Sequence, residues 1–257
     1  MPRPVRRRIG RLDREWARRA DLRITVNDAL ADALAARWGT DRPIVVPNHP
    51  EVRSAASTPI DLHAEAGLSP DLRTIIFQGR LGPDLGLDAA AEAVLAVPNA
   101  ALVILGFGRG LALSRARDRD PRFAGRHVTL AARTPDELLG WTAAADLAIV
   151  PLPPTSANQR RSTPNKFWEA LAAGTPVVVG ADLPTMADLV REHDVGIVAE
   201  SSRAVDLAAA LQTGIDRLDA EGARWRAHIE LTARTRFAWA NAATAYRAAV
   251  RAIVSRP

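Results

Sequence analysis

The chain has 257 residues, 47% of them hydrophobic, a formal net charge of +5 and no cysteine. That is enough apolar material for one substantial core and part of a second, and the missing cysteines exclude disulfide and thiolate-metal frameworks. No stretch approaches the roughly 20 apolar residues of a membrane span, and the start lacks the apolar run of a signal peptide, so a cytoplasmic protein is expected. Arg3, Arg6, Arg7, Arg8 and Arg11 crowd the N-terminus. With no aromatic stacking platform beside them they are read as a solvated helix, and nucleic acid is not an expected partner.

In chain order, residues Arg11 to Ala20 have helical composition, Leu22 to Val26 alternates like a strand, and Asn27 caps a helix running to about Trp38. Pro43 to Val46 is a short strand, and a connection rich in Pro, Ser and Thr follows to about Pro59. The pattern then sharpens. Strands are predicted at Thr74 to Gln78, Ala101 to Leu105, His127 to Leu130, Asp146 to Val150, Pro176 to Val179 and Val195 to Val198. Helices are predicted at Leu87 to Ala96, Pro135 to Ala144, Pro164 to Ala173 and Leu183 to Glu192, with more after the last strand. Short apolar strands alternating with helices imply an α/β fold with a doubly wound parallel sheet covered on both faces. Ligands in such sheets sit at the carboxyl ends of the strands.

The segment Ser162-Thr163-Pro164-Asn165-Lys166-Phe167-Trp168-Glu169 carries most of the chemistry. Thr163 suits an N-cap, Pro164 the first helical position and Gly174 the stop. Free amides and the dipole at such a helix start attract an anion, and Lys166 adds a full charge. Lys166 is the one lysine of the chain. A cation there is unfavourable for the helix alone; a bound phosphate reverses the sign. Glu169, about one turn deeper, is placed to accept from vicinal hydroxyls of a ribose or hexose, the plainer alternative being a surface Lys–Glu pair.

This segment closely resembles the donor-binding motif of family-4 (group 1) retaining glycosyltransferases of the two-lobed GT-B fold, in the subgroup with Pro-Asn-Lys ahead of the glutamate. Asn158, Ala20 to Val26, Val46-Pro47-Asn48, Phe77 to Gly82, Ala145 to Pro151 and Phe237 to Tyr246 agree in order and spacing. The resemblance implies a Rossmann-like C-terminal half that transfers a sugar from a nucleotide diphosphate sugar to an acceptor hydroxyl with retention, in cell-envelope polysaccharide or glycoconjugate synthesis. Arg80 and Lys166 would neutralise the leaving diphosphate without a cofactor or metal, and Glu169 would bind the ribose. Gly79, Gly82, Gly106, Gly108 and Asn165 would line the donor, and Ala132, Arg133 and Thr134 would flank the base. Leu85 stands where relatives often carry a second basic residue, and Arg161 where many carry a glutamate. Arg161 is read as a solvated loop arginine or an extra phosphate contact.

The same likeness implies three parts: residues 1–52 as the end of an N-terminal acceptor lobe, 53–233 as the nucleotide-sugar domain, and 234–257 as a helix crossing back to that lobe. Most of the acceptor site is then expected outside this chain. A truncated start, a separate polypeptide supplying the lobe, or a binding module without turnover would each account for this. A lipid-linked or polysaccharide acceptor and a peripheral position at the inner face of a membrane are the matching expectations.

Other motifs carry less. Gly106-Phe107-Gly108-Arg109-Gly110 has Leu111 where a dinucleotide fingerprint needs its third glycine. Asp118-Arg119-Asp120 is read as a solvated loop. The five histidines lack metal-ligand spacing, and the tryptophans, Trp16 among them, are read as core.

Overall fold

The computed structural model describes residues 3–51 and 60–255. Two units follow one another. The first comprises helix α1 (Arg3–Arg19), strand β1 (Ile24–Thr25), helix α2 (Asp28–Trp38) and strand β2 (Ile44–Val45). The two strands pair in parallel, Ile24 opposite Ile44. Residues 52–59, most of the expected connection, lie outside the described residues.

The second unit is a six-stranded, fully parallel sheet in the order β5-β4-β3-β6-β7-β8. Its strands are β3 (Arg73–Arg80), β4 (Ala100–Phe107), β5 (His127–Ala131), β6 (Leu147–Val150), β7 (Val177–Gly180) and β8 (Gly196–Ala199). Helix α3 (Leu62–Ala66) precedes them, and between them run α4 (Leu87–Leu95), α5 (Leu111–Arg117), α6 (Pro135–Ala143), α7 (Ala157–Arg161), α8 (Asn165–Ala172) and α9 (Pro184–His193). The long α10 (Ala204–Arg236), kinked at Glu221, and α11 (Trp239–Val254) close the described chain. Strand order reverses between β3 and β6, so the sheet is doubly wound as expected and a crevice opens there, at the carboxyl ends of the strands.

The apolar runs become strands because both faces are covered. Ile75, Ile76 and Phe77 of β3 and Leu102 to Leu105 of β4 are all buried, which leaves no polar alternation to read. Helix α10 lies across β6, β7 and β8 and also touches α4 and α8. It passes the expected boundary at 233 and ends at Arg236, and α11 then packs on β2, with Trp239 N donating to Pro50 O at 3.1 Å.

Some predicted features are corrected. Helix α1 begins at Arg3 rather than near Arg11, and the basic cluster is helical, as read. Trp16 is 67% exposed on it, in a stripe with Val5, Ile9 and Leu12, so helical spacing marked an apolar face that is not core here. Asp118 is no solvated loop residue: its Oδ1 accepts from Thr129 Oγ1 and sits 2.7 Å from Nδ1 of the buried His127. The short helices α3, α5 and α7 were not predicted.

Asn27 joins the two units. Its Oδ1 caps α2 by accepting from Leu30 N at 2.9 Å, while Nδ2 donates to Arg161 O at 2.7 Å and Thr163 Oγ1 at 3.2 Å. Asn27→Ala is expected to cost about 1–3 kcal/mol and to loosen residues 3–51. Asn27→Asp keeps the cap, loses the bridge and is expected to loosen the same segment. Urea unfolding and limited proteolysis of the two variants check this.

Candidate functional site at the carboxyl ends of the central strands

Strand register brings the candidate residues together. Gly79 of β3 lies opposite Gly106 of β4, Arg80 opposite Phe107, and Gly106 opposite Ala131 at the end of β5. The loops bearing Gly82, Gly108 and Ala132 to Thr134 therefore leave one edge of the sheet. Helix α8 follows β6 across the switch point and turns its first residues toward the end of β3.

Lys166 is the centre of this arrangement. It occupies the first turn of α8 and is half-buried, its Nζ 4.3 Å from the centroid of the Phe77 ring. Gly79 stands at φ +107°, a conformation that favours glycine, and a Cβ built there would be in ordinary contact with Lys166 Cε at 3.9 Å. Among the described residues no ion pair involves Lys166. Burial pushes its ammonium down to about 8, Glu169 opposes that shift, and the like charge of Arg80 adds to it.

Glu169 does not close on Lys166 as a surface pair. It is half-buried and accepts a hydrogen bond from Gln78 Nε2 at 2.7 Å, and burial raises its carboxyl above the usual range against the pull of Gln78 and Lys166. Gln78 is held in turn by the Thr142 hydroxyl at its Oε1. Sequence reasoning missed Gln78 as a site residue. Its signal was a lone amide in an otherwise apolar strand, where a buried polar group needs partners.

Arg80 is half-exposed, and its Nη2 donates to Asp84 Oδ2 at 2.9 Å. The backbone beside it is clamped. Leu81 N donates to Phe107 O at 2.7 Å, Gly110 N to Leu81 O at 3.1 Å, and the Leu81 side chain is buried. A Cβ at Gly106 would fall 2.5 Å from Leu81 Cδ2, and one at Gly108 3.2 Å from Leu81 O. The close approach at these two glycines is thus between two loops of the chain itself.

The remaining candidates divide. Asn165 is exposed at the start of α8 and its Oδ1 accepts from Asn48 Nδ2 at 3.3 Å, which ties the end of the first unit to the crevice. Helix α8 starts one residue later than predicted, with Pro164 at the cap position and no capping side chain; Thr163 is buried and its hydroxyl is taken by Asn27. Ala132 and Thr134 are exposed, Thr134 forming a capping box with Glu137 on α6, while the Arg133 guanidinium stacks 3.9 Å from the Trp141 ring centroid. Arg161 donates to Ala157 O within α7. It faces a separate cleft of 840 Å³ between the two units, together with Arg160 and His49. His49 packs edge-on against Trp168 and Phe237, and burial lowers it to about 4.

Comparison with known proteins places this geometry in a family. The profile of glycosyl transferases group 1 matches residues 72–217, which include all six strands of the main sheet and all of α8. D-inositol 3-phosphate glycosyltransferase of Rhodococcus jostii is 27% identical over 259 residues, covering 94% of this chain and 54% of that protein. The enzyme of that name from Segniliparus rotundus is 32% identical over 203 residues, 73% of this chain and 42% of that protein. The chain thus spans about half the length of these relatives. Among solved structures, Anabaena HepE in complex with UDP and glucose superposes with a TM-score of 0.72 at 18% identity, covering 95% of this chain and 66% of HepE. Sucrose-phosphate synthase from Thermosynechococcus elongatus gives 0.70 at 17% identity, with 96% and 61% covered. At those identities the likeness is one of fold.

The buried ammonium has a consequence for stability. Its folded value of about 8 lies below the ordinary lysine value, so the unfolded chain binds the proton more tightly. The charge is therefore a full penalty on folding below pH 8, shrinking as pH rises toward about 10.4. Lys166→Met is expected to stabilise the unliganded chain at pH 7 by roughly 1–3 kcal/mol, with the gain shrinking above pH 8. Urea unfolding across that range checks it.

Proposed function

The chain belongs to the group 1 glycosyl transferases, and from that premise we propose that it forms the donor half of an enzyme moving a sugar from a nucleotide diphosphate sugar to an acceptor hydroxyl. The observation that carries this reading is Lys166: a half-buried ammonium without an ion-pair partner among the described residues, at a helix start, beside a second cation, at the switch point of a parallel sheet. Such a group is unfavourable until an anion arrives.

In this reading Arg80 and Lys166 hold the diphosphate and stabilise the charge that develops on it as the glycosidic bond breaks. Fixed cations do this work in place of a metal. Glu169, oriented by Gln78 and Thr142, accepts from the ribose hydroxyls. Gly79, Gly82, Gly106 and Gly108 shape the walls, Asn165 meets the donor at the mouth, and Ala132 to Thr134 flank the base. Retention at the anomeric carbon and a role in cell-envelope polysaccharide or glycoconjugate synthesis belong to the same proposal. HepE, solved with UDP and glucose, supports the donor class through its shared fold.

The other wall of the cleft is proposed to come from polypeptide packing on the first unit. Val5, Ile9, Leu12 and Trp16 form an exposed apolar stripe on α1, and Ile24 and Ile44 are exposed on a two-stranded parallel pair. Parallel strands are ordinarily covered on both faces. The arginines around that stripe support the further proposal of a peripheral site on an anionic membrane face; no described helix is long and apolar enough to cross a membrane. A second reading, a nucleotide-sugar-binding module without turnover, shares the same proposed donor site.

Isothermal titration of the chain with UDP and GDP tests the donor site. Saturable binding of one of them is expected, weakened at least about tenfold by Lys166→Met and by Glu169→Gln, the worth of a charge-assisted hydrogen bond. A folded chain that binds neither nucleotide refutes the donor reading. Steady release of nucleotide from its sugar conjugate separates the transferase from the passive module.

A further inference from the structure

The turn after β3 holds a carboxylate where the proposed site wants an anion. Asp84 lies in the 3-10 turn Pro83–Leu85 and binds Arg80 at 2.9 Å. The two side chains fold back across Gly82: a Cβ built there would lie 2.5 Å from Arg80 Nη1 and 2.8 Å from Asp84 Oδ1. Arg109, from the loop after β4, also acts on Asp84 and helps hold its carboxyl below the usual range, after the larger effect of the Arg80 hydrogen bond. Lys166 in turn feels the charge of Asp84. Arg80, Arg109 and Lys166, from three segments, thus all feel the charge of this one side chain.

The backbone of this turn is fixed on both sides. Leu81 is pinned to β4, Leu85 is buried, and Gly86, in the left-handed region at φ +72°, packs against the Pro151 carbonyl. Gln159 Nε2 donates to Asp84 O at 3.2 Å. The Asp84 side chain can therefore leave Arg80 only by rotating, because the loop cannot carry it away.

We propose that Asp84 is an internal stand-in for the donor diphosphate, a counter-ion that nucleotide must displace from Arg80 and that thereby sets the affinity of the site. The inference rests on the donor reading above. A carboxylate brings one charge and a diphosphate more, so the exchange runs toward nucleotide. The released carboxylate stays close and opposes the incoming charge, while without nucleotide it holds Arg80 folded back across Gly82. Because the Arg80–Asp84 pair is half-exposed, its hold is modest.

Titration of UDP and GDP into the chain and into Asp84→Asn and Asp84→Glu variants, without metal and again with magnesium, tests it. Asp84→Asn is expected to bind the preferred nucleotide about two- to fivefold more tightly, with Asp84→Glu close to the parent and the melting temperatures little changed. Unchanged binding by Asp84→Asn overturns the proposal. So does weaker binding, which with magnesium would make Asp84 a ligand of a bridging cation. If neither nucleotide binds the parent or Asp84→Asn, both folded by circular dichroism, the donor reading itself fails and this inference falls with it.

Discussion

Lys166 puts a positive charge at the switch point with no ion-pair partner among the described residues, the charges of Glu169 and Asp84 opposing only part of the cost of its burial. Lys166 extends from the first turn of α8 over the ring of Phe77 and past Gly79, with Arg80 as a neighbour of like sign. Desolvation and repulsion both disfavour its ammonium. The position is nevertheless forced: β6 leads across the switch point into α8, whose Phe167, Trp168, Ala170 and Leu171 are buried. With that face committed to the core, Lys166 and Glu169 turn toward the end of β3. The ammonium is unfavourable as it stands, and in the proposed function an anion resolves it.

The neighbouring loops are held in place around it. Leu81 fills the space that side chains at Gly106 and Gly110 would need, Arg80 and Leu81 are tied to β4, and the Asp84 carbonyl accepts from Gln159 of α7. Gln78 passes between Thr142 of α6 and Glu169 of α8, so helices on two connections are referenced to one strand. Asn27 does the same from the first unit by holding the segment just before α8. Rigid surroundings of this kind keep charges from relaxing toward one another, which preorganisation requires.

How much of this was legible in the sequence follows from the range of each interaction. The six strands of the main sheet could be read because burial on both faces leaves uninterrupted apolar runs. Pro135 at the start of α6, and Pro164 and Gly174 around α8, marked those helices locally. Helices α3, α5 and α7 escaped because five to seven residues give no period, and they bury little, Leu62 in α3, Ser114 in α5 and no residue in α7. Thr163 has capping chemistry, yet its hydroxyl is claimed by Asn27, 136 residues away. The carboxylate of Asp118 found a buried histidine across a turn. Lys166, Glu169 and Arg80 were visible as residue types in a motif, whereas Gln78 and Asp84, their immediate partners, are defined by pairings that only the folded chain makes. Trp16 is the converse case, in which periodicity showed an apolar face but not what covers it.

Because Lys166 is the one lysine in the chain, protein labelled with carbon-13 at the lysine ε position gives a single signal whose shift reports this ammonium alone. Its titration with and without saturating UDP or GDP tests the central claim most directly. The free chain should titrate at about 8, and the nucleotide-bound chain at least about one pH unit higher, as a new anionic neighbour requires. An ordinary value near 10.4, indifferent to nucleotide, would mean that the ammonium is neither strained nor waiting for an anion, and would contradict the account.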